Sequence, residues 1–203
     1  MSETAPARGM LIALEGTGGR SMAVAARRLE RSLRTTQGAS GISTWDSSAI
    51  FLQIAQGGPG MPAPPSRTLI LLYAADLAFR LRWQIRPVLE EGTHVIAAPY
   101  LETVVGFGRA AGLSRGWLRR VFAFAPAPDI CYRVPEFTIP VNRRGVPSDS
   151  FLEFCLAQLR NGPASWDTEE IRRGFEGHLD RLQARGKCSL VTGRTSEAAP
   201  APR

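Results

Sequence analysis

Hydrophobic positions along this chain come in two kinds of segment, short continuous runs and longer stretches of helical period. Met10 to Leu14 is an unbroken apolar run of strand length, and it predicts a buried strand. From Arg20 to Arg34 the apolar positions recur every three or four residues among arginines, which predicts an amphipathic helix ended by Gly38. A short strand over Ile42 to Trp45 follows, and Asp46, Ser47 and Ser48 form a capping group before a short helix, Ala49 to Ala55. The stretch from Gln56 to Pro65 is a loop on its glycine and proline content. A long helix is expected over Arg67 to Glu91, stopped at Gly92 and kinked or interrupted by Pro87. Thr93 to Ala98 reads as a buried strand that stops at Pro99. Helices are predicted at Val104 to Ala111 and Trp117 to Phe124, and a further strand at Ile130 to Val134. The spacing of Ser150 and Glu153 predicts a capping box opening a helix to Arg160. Asp167 opens the last helix, which carries Ile171, Phe175, Leu179 and Leu182 on one face and ends at Gly186. Strands alternating with helices predict an α/β protein whose mostly parallel sheet is covered by helices.

A length of 203 residues suits one such domain. The expected organisation is a single domain over 9–194, with disordered ends at 1–8 and 195–203, the latter rich in alanine and proline. No apolar run reaches the roughly 18 residues of a membrane span; the longest candidate, Thr68 to Phe79, is interrupted by Asp76. The start of the chain lacks the apolar region of a signal peptide, so a cytoplasmic location is expected. Cys131, Cys155 and Cys188 are odd in number and far apart, and they read as reduced thiols. The net charge is +7, and nearly all of the positive charge is arginine. Nucleic-acid binding is one reading of that balance. Arginines scattered over many helices, with no aromatic residues among Arg27, Arg28, Arg31 and Arg34, favour solvated helix faces instead.

The candidate chemistry lies between the first strand and the first helix, in the segment from Glu15 to Ser21. A glycine-rich turn leading into a helix presents backbone N–H groups to an anion, and Gly16, Thr17, Gly18, Gly19, Arg20 and Ser21 could do so here. A full phosphate loop also carries a lysine for the β- and γ-phosphates and a hydroxyl for Mg²⁺. Lys187 is the only lysine of the chain, and it lies near the other end. His94 and His178 have no carboxylate, serine or cysteine partner at a spacing that suggests a triad or a metal site.

Several segments in the right order resemble the thymidylate kinases, a family of P-loop nucleoside-monophosphate kinases. These are Leu14-Glu15-Gly16 entering the loop, Leu71 to Asp76, Ile85 to Leu89 followed by Gly92, Tyr100 after the third strand, Gly106-Phe107, and Ala127-Pro128-Asp129. The resemblance covers roughly Gly9 to Arg185. It implies a P-loop NTPase fold with helices on both sheet faces, ATP and Mg²⁺ as cofactors, and phosphoryl transfer from ATP to dTMP. It implies an acceptor-nucleotide pocket of Tyr73, Asp76, Arg80, Tyr100 and Phe107, with Tyr73 where the family stacks an aromatic on thymine. For these aromatics core packing is the competing expectation. The family forms homodimers through helices beside the acceptor site. The apolar helix around Leu69 to Phe79 therefore suits a homodimer, or a heterodimer with an active paralogue.

The departures from the family fall where charge belongs. Aligned without gaps, Met22 takes the lysine position and Ala23 that of the Mg²⁺ hydroxyl. In the other register Arg20 and Ser21 form the pair and the loop is two residues shorter. The family's arginine after strand two falls near Trp45 to Ser47, its acceptor-phosphate arginine is Leu77, and its Asp-Arg pair is Ala98-Pro99. Arg80, one helical turn after Leu77, is a candidate substitute for the acceptor arginine, with a solvent-facing role the competing and favoured expectation, and Arg20 is the candidate catalytic cation. The stretch from Arg143 to Asp149 lies where the family carries a lid over ATP. The expected protein is kinase-shaped and catalytically impaired, with a nucleotide-binding, regulatory or assembly role. The alternatives are a dTMP kinase running on Arg20 and a nucleic-acid-binding protein.

Overall fold

In a computed structural model of the chain, residues 8–36, 38–56, 63–136, 150–160 and 167–191 are described. The predicted lid stretch Arg143 to Asp149, and the predicted disordered ends 1–8 and 195–203 apart from Arg8, lie outside them. Five parallel strands form one sheet in the order β2-β3-β1-β4-β5. They are β1 (Leu11–Gly16), β2 (Ser40–Thr44), β3 (His94–Ala98), β4 (Ile130–Val134) and β5 (Ser189–Leu190). The eight α-helices of the described residues are α1 (Gly19–Thr36), α2 (Ile50–Ala55), α3 (Ser66–Arg80), α4 (Arg86–Glu90), α5 (Glu102–Ala110), α6 (Arg115–Val121), α7 (Phe151–Arg160) and α8 (Thr168–Ala184).

The period-two geometry of a strand sends alternate side chains to opposite faces. In β1, Leu11 and Ala13 join the larger core, built with Leu69, Tyr73, Phe107, Phe151 and Phe175 from the helices of one face. Ile12 and Leu14 join a second core with Met22, Ala25, Ala26 and Leu33 of α1 on the other face. Every residue of β1 is buried, which is why its sequence reads as a continuous apolar run.

The long helix predicted through Glu91 is interrupted as expected, but by a change of pitch. A π-turn, Leu81–Ile85, separates α3 from α4, and the Arg86 amide donates five residues back to the Leu81 carbonyl. Pro87 has no N–H and its ring crowds the carbonyl four residues earlier, so a widened turn just ahead of it relieves both problems.

α5 and α8 pack closely because Gly106 has no side chain. A Cβ there would come within 2.9 Å of the Phe175 ring and 3.0 Å of the His178 ring. His178 Nε2 and Glu102 Oε2 lie 2.8 Å apart across the same contact. His94 Nδ1 accepts the Met10 amide at 3.0 Å, so both histidines serve the fold.

Two expectations are corrected here. Cys131 and Cys188 are not separate thiols: they form a disulfide across 57 residues of sequence, and Cys155 is the free, buried cysteine. Their approach follows from strand register, since Tyr132 pairs with Ser189 and one step back sets Cys131 opposite Cys188. β5 itself is too short to leave a periodic signal. The predicted capping box does not form either. The Ser150 hydroxyl donates to the Thr17 carbonyl, and the Glu153 carboxylate pairs with Arg172 of α8 at 2.8 Å.

Candidate functional site

The site lies at the carboxyl ends of β1, β3 and β4, where open parallel sheets place their ligands. β1 ends at Gly16 and α1 begins at Gly19, so only Thr17 and Gly18 connect them. Gly16 is required there: a Cβ would sit 2.6 Å from the Val134 carbonyl oxygen. The Met22 amide donates to the Gly18 carbonyl at 3.0 Å, closing the first turn of α1. Arg20 and Ser21 therefore lie in that turn, Arg20 exposed and Ser21 buried. Met22, the gapless counterpart of the lysine, is buried against Ile12, Leu14 and Ile96.

Three groups hold this short turn. The Gly16 amide donates to Thr103 Oγ1 at 3.2 Å, the Ser150 hydroxyl donates to the Thr17 carbonyl, and the Thr17 hydroxyl donates to Glu136 Oε2 at 3.3 Å. A carboxylate from the segment after β4 thus sits at the β1–α1 turn.

Glu15, the next-to-last residue of β1, is fully buried. Its carboxylate accepts from the Glu102 amide at 3.0 Å, the Thr103 amide at 2.8 Å and the Thr103 hydroxyl at 2.6 Å, which caps the start of α5. Burial raises its pKa to about 7, against the pull of those hydrogen bonds.

The residues of the expected acceptor pocket fall into three groups. Tyr73 and Arg80 of α3 converge with Tyr100 on the turn after β3, where the Ala98–Pro99 bond is cis. The Tyr73 hydroxyl donates to the Pro99 and Tyr100 carbonyls at 3.0 and 2.6 Å. Arg80, without solvent exposure, donates to the Pro99 carbonyl, the Ser43 carbonyl and the Ser43 hydroxyl at 2.8 to 3.1 Å. Its guanidinium is held by neutral oxygens of β2 and the turn. Burial pushes the Tyr73 and Tyr100 hydroxyls well above the ordinary tyrosine range.

Phe107 of α5 meets the group through Phe151 of α7. The Phe151 ring lies 4.6 Å from Tyr73 and 5.8 Å from Phe107, with Phe51 and Trp45 beyond at 5.8 Å each. Tyr73, Tyr100, Phe107 and Phe151 are all fully buried, packed on one another.

Asp76 is engaged by the turn after β2. It accepts the Asp46 amide at 3.1 Å and the Ser48 amide and hydroxyl at 3.0 Å each. Asp46, at positive φ, in turn accepts the Phe51 and Leu52 amides at 2.8 and 2.9 Å and so caps α2. This carboxylate relay fills the turn after β2, near which the resemblance places the family's arginine segment.

Glu136 and Phe151 were not singled out in the sequence, and Ser150 was read only as a helix cap. Glu136 had one usable signal, its place just past the carboxyl end of β4. The other two reach the site from across a long sequence separation, which no local pattern records. Among the described residues no group of His, Cys, Asp and Glu is arranged to hold a metal ion. In the gapless register Ala23 stands at the Mg²⁺ hydroxyl position, and β3 ends in Ala98 in place of a carboxylate.

A five-stranded parallel sheet in this order, with a glycine-bearing turn from its central strand into a helix, is the P-loop NTPase α/β fold. The chain is similar to proteins named thymidylate kinase. It is 43% identical over 60 residues to a probable thymidylate kinase of Pyrococcus abyssi, a match covering 30% of this chain and 29% of that protein. It is 26% identical over 135 residues to a probable thymidylate kinase 2 of Saccharolobus solfataricus, covering 65% and 63% of the two. The chain thus spans less than a third of the Pyrococcus relative's length and just under two thirds of the Saccharolobus one. The crystal structure of thymidylate kinase from Ehrlichia chaffeensis superposes with a TM-score of 0.63 at 15% identity, over 91% of this chain and 93% of that one. No family model matches the chain.

Proposed function

We propose that this protein is a thymidylate-kinase-fold protein with little or no phosphoryl transfer, acting as a binding, regulatory or assembly partner. The observation that carries this reading is the β1–α1 connection. It is two residues long, and the side chain in the gapless lysine position is buried in the core under α1. Phosphoryl transfer is catalysed by positioning and by charge stabilisation, with little covalent chemistry for the protein to perform. Losing one preorganised donor lowers the rate on the order of 10² to 10³-fold. Here the lysine, the acceptor arginine at Leu77 and the Asp-Arg pair at Ala98-Pro99 are absent together. Arg80 is fully engaged by Ser43 and Pro99, and the aromatic side of the site is closed by Phe151.

Incubation of concentrated protein with ATP, Mg²⁺ and dTMP, followed by chromatography for dTDP and ADP, tests the reading. No product is expected, and Met22→Lys is expected to restore none because the other charges are still missing. Product that disappears in Arg20→Ala would support the second reading, an active dTMP kinase. The exposed place of Arg20 in the first turn of α1 favours that alternative.

The partner surface belongs to the same proposal. Leu71, Ala75, Phe79 and Trp83 recur every four residues along α3 and the π-turn, all facing solvent, with Leu71 51%, Phe79 40% and Trp83 62% exposed. Such an apolar stripe suits a second chain of the same fold.

A further inference from the structure

We propose that Glu136 is an internal occupant of the phosphate loop, which keeps polyphosphate anions out of it. The proposal builds on the reading of an impaired kinase and names the residue that closes the site.

The N-terminus of α1 concentrates partial positive charge, which in a phosphate loop is met by the nucleotide's anionic oxygens. In this chain the negative group beside that turn is the Glu136 carboxylate. It accepts the Thr17 hydroxyl at 3.3 Å. A Cβ built on Gly18 would lie 3.5 Å from Glu136 Cγ, so the side chain lies against the loop backbone along its stem as well. The position is set by the fold. Val134 pairs with Gly16 in the β1–β4 register, so the chain leaves β4 level with the loop, two residues before Glu136. The loop is also fixed from the other side, where Ser150 donates to the Thr17 carbonyl. Thr17 is thus tied through both its hydroxyl and its carbonyl, and a bound phosphate would have to displace a carboxylate from one of them. A like charge at that distance opposes the ligand electrostatically, and the opposition weakens as salt rises.

The test is a titration of the full-length protein with ATP, and separately with inorganic pyrophosphate, in the absence of Mg²⁺, followed by calorimetry. Wild type is compared with Glu136→Gln and with Glu90→Gln. The second variant makes the same charge change at the end of α4, ahead of β3 and so at the amino end of the parallel strands, opposite the end that carries the loop. Glu136→Gln is expected to bind both anions on the order of tenfold to a hundredfold more tightly than wild type, with the gain shrinking at high salt. Glu90→Gln is expected to match wild type. Equal or weaker binding by Glu136→Gln, or an equal gain in Glu90→Gln, would overturn the proposal. Glu136 is exposed, so its replacement leaves the core intact, and circular dichroism checks that it does. A dTDP assay on the same samples separates the two readings. Turnover by wild type rejects the impaired kinase, whereas the affinity ratio of the variants alone decides the role of Glu136.

Discussion

Glu15 shows how one residue can be plain in the sequence and still have its role set by its surroundings. Its place before the loop follows from the resemblance. Its chemistry follows from complete burial, which raises its pKa from an ordinary 4.5 to about 7. The folded protein therefore keeps a proton on Glu15 in a window where the unfolded chain has released it. Stability from this group is greatest at the acid end of that window, falls as pH rises from about 4.5 to about 7, and is level above. The change amounts to about 3 kcal/mol. Urea unfolding between roughly pH 5 and 8 should show that slope in wild type and not in Glu15→Gln; a slope that survives the substitution assigns it elsewhere. Arg80 makes the complementary point. Its type and spacing suggested a phosphate ligand, and only the folded backbone shows that Ser43 and Pro99 already take its donors.

At the level of elements, hydrophobic period located most of what forms. Ile130 to Val134 is a strand with the predicted ends, and the four apolar residues of α8 are all buried. The exceptions arise where one element answers to another. β5 has two residues and exists by pairing with β4, and beside that pairing lies the Cys131–Cys188 disulfide. A crosslink spanning 57 residues removes unfolded-chain entropy worth about 4 kcal/mol in the chain-entropy treatment. Cys188→Ser should lose about that much in urea unfolding, and wild type with dithiothreitol should fall to the same midpoint. Thiol titration of unfolded, unreduced protein should find Cys155 alone; three titrating thiols would show the crosslink absent. The Ser150–Glu153 capping box failed for a related reason. Both side chains are claimed from outside the helix, by the loop and by α8.

For the whole molecule, the exposed apolar stripe of α3 predicts association. Light scattering on the eluting protein should give about twice the chain mass of 22.1 kDa, and Trp83→Glu should return it to one chain. A wild-type monomer at micromolar concentration would leave the stripe to a different partner. Most of the order of strands and helices, β5 excepted, the parallel sheet, the missing lysine and the missing acceptor arginine could be read from the sequence. They depend on hydrophobic period and on residue identity, which are local properties of the chain. The state of the site could not be read that way. Met22 in the core, Glu136 on the loop, Phe151 among the tyrosines and Asp76 turned to Asp46 and Ser48 are contacts between residues far apart in sequence. They depend on strand register and helix packing, and only the tertiary structure decides those, because there the backbone brings distant side chains within hydrogen-bonding and van der Waals reach.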